Sequence, residues 1–359
     1  MASHANRIAL AIVQVTITVG VLVLLLHDRE KRAQMLDALS RADQTWIFAG
    51  IGAYGLVELV AGFRWERLLR VQGIFLGRIR LVMLLLIGLF FNFFIPGGTG
   101  GDVVKIFYLI KEAPGKRAAA VLSVLVDRII GLFAITILAA CFIAAQWSWL
   151  TATRETASFV WSALIIMGVS VAAVVFSYVL TSLGLIHRLP ARFPWRDRLA
   201  ELARAYNSYG REWRASLQAI AASFLSHLGH FFTFYCAARA FASPLVRTPS
   251  FLQLCTIMPV INTITSLPIS VGGLGIREGL FQIFLNRLAH VDEGVAVLIS
   301  SMGYLMTAFW GGVGGLIYLF YRPTEHVRLE EIDREVAELE HEVAEDEIAL
   351  EISEEKVER

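Results

Sequence analysis

The sequence predicts an all-α polytopic membrane protein with six full transmembrane helices and two re-entrant helical hairpins of opposite orientation, arranged as an inverted repeat. Of its 359 residues, 56% are hydrophobic and only 18% are charged, whereas about 25% of the residues in a soluble domain are charged. Six apolar runs are long enough to cross a bilayer, and two shorter runs end at glycine- and proline-rich segments. These observations favour a protein that works within the bilayer over a soluble enzyme, and no nucleic-acid-binding motif accompanies them.

The six full spans follow from length and apolar composition. A helix rises about 1.5 Å per residue and the hydrocarbon core is about 30 Å thick, so about 20 apolar residues cross it. The first run is followed by charged residues and not by a small-residue cleavage site, so we interpret it as a retained helix. The predicted spans are residues 8–26, 45–63, 117–145, 159–181, 217–242 and 295–320.

Two further apolar runs do not continue as regular spans. Residues 81–95 meet a segment, 96–101, that holds one proline and four glycines, and residues 251–267 meet a segment, 268–275, that holds one proline and three glycines. A regular helix does not continue through such segments, because proline lacks an amide N–H and glycine is a poor helix former. Each run is expected to resume as a short amphipathic helix, at Val103 or at Ile276.

The arginine content of the loops predicts their side of the membrane. Residues 64–80 hold five arginines and residues 182–216 hold seven, whereas residues 146–158 and 243–249 hold one each. The positive-inside rule places the first two segments in the cytoplasm. Loop 27–44 has four basic and four acidic residues, and alternation places it outside. The N-terminus and the C-terminal tail then face the cytoplasm, and the plasma (inner) membrane is the predicted location.

With these orientations, the two broken regions are hairpins that enter the membrane from opposite faces. Their tips share the pattern P-x3-GG-x3-[KR], and inverted repeats with interrupted helices are found in many secondary transporters. The alternative is that two turns look alike because few residue types suit a turn, but a turn does not require the basic residue. At a constant separation of 172 positions, Pro96, Gly100, Gly101 and Lys105 correspond to Pro268, Gly272, Gly273 and Arg277.

The chain divides into a transmembrane domain, residues 1–321, and an acidic tail, residues 322–359. Within the domain, repeat A covers about residues 8–145 and repeat B about residues 159–320. The tail carries 15 acidic and 5 basic residues, a net charge of −10, whereas the domain carries 27 basic and 16 acidic residues. Apolar residues at spacings of three and four predict a cytoplasmic helix with a coiled-coil seam. The pattern leaves open whether this helix pairs with a second copy, lies against the basic loops or remains solvated.

The hairpin tips are the leading candidate for a substrate site. Backbone that is not helical is tolerated at membrane depth only where protein buries it or water reaches it. Glycine lets backbone N–H groups approach an anion, and each resuming helix presents its positive N-terminus. The two tips are therefore expected to enclose a wet, positively lined chamber that binds an anionic or zwitterionic headgroup.

The charged and amide residues near the tips have expected roles of their own. Lys105 and Arg277 suit a phosphate, with snorkelling to the interface as an equal alternative. Asp102 and Glu278 would oppose an anion and are expected to cap the helix, neutralise the neighbouring base or take up a proton. Amides before each break can bond freed backbone groups. The predicted substrate-binding residues at the hairpins are Asn92, Pro96, Gly97, Gly98, Gly100, Gly101, Asp102, Lys105, Asn262, Pro268, Gly272, Gly273, Gly275, Arg277 and Glu278.

Asp127 and Arg128 are also predicted to bind substrate. They lie about 15 Å along a helix from its predicted start at Arg117, near the middle of the bilayer. A charge there costs about 2.5–3.5 kcal/mol on insertion, so both residues are expected to face the protein interior and to have partners. We expect Asp127 to pair with Lys105 or Arg277 and Arg128 to meet a substrate phosphate. The alternative is a purely structural ion pair.

Four residues are candidates for a proton relay: Glu58, Asp127, His227 and His230. Glu58 precedes an arginine-rich loop, so an interface pair is the alternative there. The two histidines lie at i, i+3 within one span, but no third metal ligand is evident, and ordinary interhelical hydrogen bonding is the alternative. No metal or other cofactor is predicted.

Both hairpin segments, NFFIPGGTGGD from Asn92 to Asp102 and LPISVGGLGIREG from Leu267 to Gly279, resemble one known family. This is the lysylphosphatidylglycerol synthase transmembrane region family, the flippase-like domain of the multiple peptide resistance factor and its stand-alone relatives. The likeness covers about residues 8–321 and includes the Asp127–Arg128 pair. It implies lipid translocation or lipid-linked processing at a plasma membrane. In fused members an aminoacyltransferase domain follows, whereas here only the acidic tail follows, so synthesis of aminoacylated lipid is not expected.

The favoured hypothesis is a flippase-like transporter that moves a phospholipid or a polyprenyl-phosphate-linked lipid between leaflets by alternating access. One alternative is an intramembrane lipid-modifying enzyme, although no catalytic motif or nucleophile and base pair is found. Another is a membrane scaffold that recruits a partner through the acidic tail. Product formation from a lipid donor would support the enzyme, and deletion of residues 324–359 would test the scaffold. A homo-oligomer is compatible with each hypothesis.

Overall fold

The computed structural model describes residues 27–94, 100–113, 115–182, 208–244, 246–267 and 269–321, together with Thr16, Gly20 and Val23. Within this part every regular element is helical, and the only extended pairing is an isolated bridge between Ser243 and Val246. The predicted tail helix, 322–359, and the predicted span 8–26, apart from those three positions, lie outside the described residues. So do four predicted site residues at the hairpin tips: Pro96, Gly97, Gly98 and Pro268.

Ten helices longer than one turn are described, and a helical turn, Trp147–Leu150, lies between the fifth and the sixth. Helix α1 lies within the predicted loop 27–44, and the other nine overlap the predicted spans and hairpin segments, with α2 extending to Val71 beyond its predicted end at 63. The helices are α1 (Arg29–Ser40), α2 (Gln44–Val71), α3 (Arg78–Phe94), α4 (Gly100–Glu112), α5 (Arg117–Ala145), α6 (Arg154–Ser182), α7 (Trp213–Ala240), α8 (Phe251–Thr265), α9 (Ile276–Ala289) and α10 (Glu293–Phe320).

Four of the described helices are long and apolar enough to cross a membrane: α2, α5, α10 and the segment Arg154–Ala173 of α6. Helix α7 is as long as these, but it carries polar residues that include Gln218, His227 and His230. In the described residues the structure therefore confirms the predicted all-helical class with four candidate membrane spans, whereas the division into six spans and two inverted hairpins stays a prediction.

The outer faces of the long helices carry large apolar side chains at helical spacing. On α2, Leu56, Leu59 and Phe63 are exposed, and on α6, Trp161 and Ile165 are more than half exposed. Contiguous apolar surface of this kind is rare on soluble monomers and marks contact with lipid or another apolar partner. These apolar faces are suited to contact with acyl chains.

Helix α10 occupies the centre of the fold. In its most apolar window 61% of residues are buried, against 17–22% in the other three candidate spans. Three glycines of α10 allow helix α3 to pack closely against it. Gly311 lies against Phe93, Gly315 against Phe90 and Gly314 against the backbone of Leu86. A side chain at these positions would separate the two helices, so the glycines fix the first hairpin against α10.

The two breaks occur where proline and glycine predict them. Helix α3 ends at Phe94, and α4 begins at Gly100, three residues before the expected Val103, because the Asn92 side chain accepts the Gly101 N–H at 2.9 Å and satisfies this early turn. Helix α8 ends at Thr265 and α9 begins at Ile276, as expected. Helices of 13 to 17 residues at both breaks are short for a full crossing.

The second hairpin begins and turns through defined local contacts. At its start Ser250 and Gln253 form a capping box, each side chain accepting the other's backbone N–H. Between α8 and α9 the backbone has positive φ at Gly272, Gly273 and Gly275, with values of 58°, 77° and 82°. Glycine adopts this left-handed region at no steric cost, which explains why the turn contains three glycines.

Candidate functional site

A cavity of about 570 Å³ lies among helices α2 to α8. Six different helices contribute predicted site residues to its wall, so residues far apart in sequence meet at one place. The predicted residues that line it are Glu58, Asn92, Lys105, Asp127, Arg128, His227 and Asn262.

Asp127 is held by a buried arginine from α2. The Nε atom of Arg64 donates to Oδ1 of Asp127 at 2.6 Å and its Nη2 donates to Oδ2 at 2.8 Å, while Nη1 donates to the Ser223 hydroxyl at 3.2 Å. Both side chains are largely buried. The expectation that Asp127 pairs with Lys105 or Arg277 is therefore wrong. Helix α2 continues to Val71, so Arg64 lies two turns inside the helix and at the depth of Asp127, not in the cytoplasmic loop.

Asp102 joins two cations at the mouth of the first hairpin. Its Oδ2 accepts from Nε of Arg128 at 2.5 Å and its Oδ1 accepts from Nζ of Lys105 at 3.3 Å. Neutralisation of the neighbouring base was one of three roles expected for Asp102. Lys105 does not snorkel away: its ammonium lies 5.8 Å from the centre of the Trp65 ring and its side chain lines the cavity. The Arg128 side chain is half-exposed and also lines the cavity.

The two amides before the breaks behave differently. Asn92 bonds the first turn of α4, as expected, and this contact lies where α3 and α4 meet at Gly88 and Gly101. A Cβ on Gly101 would meet the carbonyl group of Gly88, so the crossing requires glycine there. In the described part of the chain Asn262 makes no comparable bond to the backbone, and its side chain faces the cavity instead.

The second hairpin directs its charges into the protein and not into the cavity. Nη2 of Arg277 donates to the carbonyl oxygen of Gly272 at 2.7 Å, and the guanidinium lies 4.3 Å from the centre of the Tyr304 ring. Glu278 is 1% exposed. Its Oε2 accepts the Gly275 N–H at 2.6 Å and its Oε1 accepts from the Ser300 hydroxyl at 3.2 Å. The structure thus gives Glu278 the expected capping role, and it does not bring Arg277 or the three tip glycines to the cavity.

Glu58 and the two histidines have separate surroundings. Glu58 lines the cavity and interacts with the Tyr54 phenol one turn earlier, so the alternative of an interface pair is wrong for it. Nε2 of His227 lies 2.9 Å from the Gly131 carbonyl oxygen, and the His230 ring contacts the Tyr54 and Phe234 rings. In the described part of the chain no three potential metal ligands lie together.

Several lining residues were not found by sequence reasoning. Arg64 was assigned to a loop, and it lines the cavity because α2 continues to Val71. Thr263 and Ser266 follow Asn262 on α8, and Ser170 lies on α6. The apolar part of the wall is generic in a membrane sequence and gave no signal; it comprises Ala61, Leu85, Leu89, Leu132, Ile135, Ile166 and Met167.

The wall combines charges of both signs with an apolar face. Arg64, Lys105 and Arg128 contribute three cations, and Glu58 and Asp127 contribute two acids, with Asp102 beside them as a third. The lining itself therefore has an excess of one cation, and Asp102 beside it offsets that charge. Along α5, the charged pair is followed by apolar residues one and two turns later, so polar and apolar ligand groups would contact different levels of the cavity.

Sequence comparisons find a matching family model and related membrane proteins. The family model described as the lysylphosphatidylglycerol synthase TM region matches residues 8–315. A UPF0104 membrane protein of Pyrococcus horikoshii is 23% identical over 329 residues, which cover 84% of this chain and 95% of the relative. A UPF0104 membrane protein of Methanothermobacter thermautotrophicus is 23% identical over 295 residues, covering 76% of this chain and 84% of the relative. Since the family model spans nearly all of the membrane region, this chain belongs to the lysylphosphatidylglycerol synthase transmembrane region family.

Proposed function

We propose that this protein is a flippase-like transporter that moves a phospholipid or a polyprenyl-phosphate-linked lipid between the leaflets of the plasma membrane. The observation that carries the proposal is the cavity of about 570 Å³, in which α5 presents the charged pair Asp127 and Arg128 and, one and two turns later, the apolar residues Leu132 and Ile135. A lipid has the same division between headgroup and acyl chains. The outer faces of the surrounding helices are apolar, so the acyl chains can remain in the bilayer.

The headgroup site is built from ion pairs that a ligand can exchange. A phosphate that enters beside Arg128 and Lys105 replaces Asp102 as their partner, so the cations exchange one anion for another and remain paired. Arginine binds phosphate through paired N–H donors, and lysine acts as a point charge. The acids beside them accept a positively charged headgroup nitrogen, which allows a zwitterionic lipid as well as an anionic one.

The proposed transport cycle uses two inverted halves. Six full spans and two hairpins entering from opposite sides form repeats A and B of a domain covering residues 1–321, with both termini in the cytoplasm. Interrupted helices that meet near the midplane allow the halves to rock or gate around a fixed site. Lys105 lines the cavity of the present structure, and we expect Arg277, its counterpart in the second tip, to face the site in the opposite access state.

The test is a leaflet-to-leaflet assay with a fluorescent phospholipid in proteoliposomes. An impermeant quencher reports how much probe has changed leaflet. We expect Arg128→Ala to slow transport about tenfold or more, because a hydrogen bond to a charged group contributes about 1.5–3 kcal/mol and about 1.4 kcal/mol is a factor of ten. Arg277→Ala is also expected to slow transport, because Arg277 should contact the headgroup in the opposite access state.

The matched control is Arg287→Ala. Arg287 pairs with Glu155 at 3.4 Å on the protein surface, outside the cavity, so its loss should leave transport unchanged. Unaffected transport in the Arg128 and Arg277 variants would exclude those residues from the mechanism. Wild-type protein that does not move the probe would contradict the proposed function, and deletion of residues 324–359 would then show whether the tail assembles a partner instead.

A further inference from the structure

Among the acids around the cavity, Asp127 and Asp102 form ion pairs within the described residues, whereas Glu58 does not. Asp127 is held by Arg64 through two hydrogen bonds, and Asp102 is held by Arg128 and Lys105. Among the residues that the structure describes, no lysine, arginine or histidine forms an ion pair with Glu58, although its side chain lines the same cavity. Glu58 is thus the one lining acid there without a salt bridge.

Charged side chains on α2 and on neighbouring helices act electrostatically on Glu58 but do not form an ion pair with it. Lys105 on α4 has the largest electrostatic effect of the charged groups around Glu58, followed by Arg64, which lies on α2 with Glu58, and by the anion Asp127 on α5. Lys105 is bonded to Asp102 at 3.3 Å, and Arg64 is bonded to Asp127 at 2.6 Å. Lys105 has the longer and weaker pair, so it is the cation that can change its partner.

Polar groups also connect Glu58 to the second half of the protein. The Tyr54 phenol interacts with Glu58, and the His230 ring packs against Tyr54 with ring centres 5.8 Å apart. His227 lines the same cavity. Two residues from helices α9 and α10 act electrostatically on Tyr54, namely Arg277 and Tyr304.

The protonation of Glu58 should depend on whether a headgroup is bound. An ionised carboxylate in a cavity of low dielectric is disfavoured when it has no counter-ion. A bound phosphate engages Lys105 and adds negative charge nearby, and both effects favour a proton on Glu58. When the phosphate leaves, Lys105 returns to Asp102, and the positive charge of Lys105 near Glu58 is no longer offset by the ligand, which favours the ionised carboxylate again. By linkage, a proton on Glu58 strengthens phosphate binding by the same factor.

We infer that Glu58 is the proton-binding residue that couples proton movement to the lipid transport proposed above, on which this inference rests. One proton from the water on one side forms an O–H bond with Glu58 as the anionic headgroup binds. It is released to the water on the other side after the headgroup departs. No bond of the lipid is made or broken. A proton and a singly negative lipid move together, so the transported charge is zero.

The experiment imposes a pH difference on proteoliposomes of phosphatidylcholine that contain fluorescent phosphatidylglycerol. With one proton for each lipid, a difference of one pH unit should shift the distribution of the probe about tenfold toward the alkaline leaflet. An imposed membrane voltage should not shift it. Glu58→Gln should still exchange the probe between leaflets, but with no response to pH.

The matched control is Glu66→Gln, two turns further along α2. Glu66 is a buried acid on the same helix, but it lies outside the cavity and pairs with Arg70 at 2.6 Å and with Arg78 at 3.4 Å. The Glu66→Gln variant should therefore keep the tenfold shift of the probe. Probe exchange by the wild-type protein without a pH response would overturn this inference and leave the proposed function intact. Absence of any exchange by the wild-type protein would overturn both.

A second measurement covers the case in which Glu58→Gln does not fold. Infrared difference spectra of the wild-type protein in phosphatidylcholine vesicles, with and without added phosphatidylglycerol, should show the carbonyl stretch of a newly protonated carboxylic acid. Glu58→Asp retains a carboxyl group and should shift this band. Wild-type spectra without the band, or a band that Glu58→Asp leaves unshifted, would contradict the assignment to Glu58.

Discussion

The two hairpins share one tip pattern but place their basic residues differently. In the first hairpin, Lys105 lines the cavity and shares Asp102 with Arg128. In the second, Arg277 stacks on Tyr304 and donates to the Gly272 carbonyl, away from the cavity. The same sequence pattern therefore supplies a cation that lines the cavity in one half and a cation packed away from it in the other, which is the asymmetry that the proposed transporter should show in one access state.

A second correspondence lies behind the tips. In each hairpin an acid of the second helix bonds to the following long helix: Asp102 to Arg128 and Glu278 to Ser300. Positions 128 and 300 are separated by 172 residues, as the tips are, whereas Asp102 and Glu278 are separated by 176 residues, about one helical turn more. One end of this contact therefore follows the register of the proposed repeat, and the acid at the other end is shifted by a turn.

The largest expected effect concerns the buried ion pair of the first half. Asp127→Asn leaves the Arg64 guanidinium largely buried without its carboxylate, and we expect a loss of about 3–5 kcal/mol in the free energy of unfolding. Denaturant unfolding in detergent would measure it. In the second half, Glu278→Gln keeps an acceptor for the Gly275 N–H and should cost only about 1 kcal/mol.

A double variant serves as the control for this prediction. Arg64→Met with Asp127→Leu removes both charges, so it should recover most of the stability lost in Asp127→Asn. Equal losses in Asp127→Asn and Glu278→Gln would show that the buried charge does not distinguish the two halves.

The next effect concerns the close crossing within the first hairpin. Gly101→Ala places a Cβ against the backbone of Gly88 and should destabilise the protein by about 1–3 kcal/mol, because the backbone atoms cannot move aside. Gly279→Ala in the second hairpin meets open space inside a helix and should be neutral or stabilising by up to about 1 kcal/mol. Thermal unfolding of both variants would compare them. A Gly101→Ala variant as stable as the wild type would mean that the hairpin is looser than its contacts indicate.

The helices and their breaks were predictable because both depend on local properties of the chain. Apolar runs as long as the bilayer is thick gave the bounds of α5 within a residue, and proline with glycine gave the breaks after α3 and α8. The convergence of Lys105, Asp127 and Arg128 was expected because charges at membrane depth need an interior site.

The ion-pair partners were not predictable, because they depend on how helices far apart in sequence are rotated and aligned. Arg64 lies among arginines that the positive-inside rule assigns to a loop, and only the end of α2 at Val71 shows that it lies inside the helix. Arg277 follows the same tip pattern as Lys105, but its direction is set by Tyr304, which no pattern in the sequence identifies.

Replacing Asp102, the acid shared by Lys105 and Arg128, should change the affinity for an anionic headgroup, whereas replacing Glu278 in the second hairpin should not. Asp102→Asn releases Lys105 and Arg128 from a competing carboxylate, so an anionic headgroup should bind about tenfold more tightly, corresponding to about 1.4 kcal/mol. Titration of the purified protein with a short-chain phosphatidylglycerol would measure the affinity. Glu278→Gln removes the corresponding charge of the second half but lies outside the cavity, so affinity should stay within about twofold. Weaker binding by Asp102→Asn would show that Asp102 orients the cations and does not compete with the ligand.

The smallest expected effect comes from an ion pair of similar chemistry in a different environment. Arg287 on α9 and Glu155 on α6 lie 3.4 Å apart, but their side chains are 58% and 46% exposed, whereas those of Arg64 and Asp127 are 14% and 10% exposed. Solvent screens the outer pair, so Arg287→Ala should change the free energy of unfolding by about 0.2–1 kcal/mol. Because added salt weakens exposed pairs far more than buried ones, this small effect should disappear at high salt while that of Asp127→Asn persists. Equal and salt-insensitive losses in the two variants would mean that burial does not set the strength of these pairs, and the separation of a charged interior site from a screened surface would no longer hold.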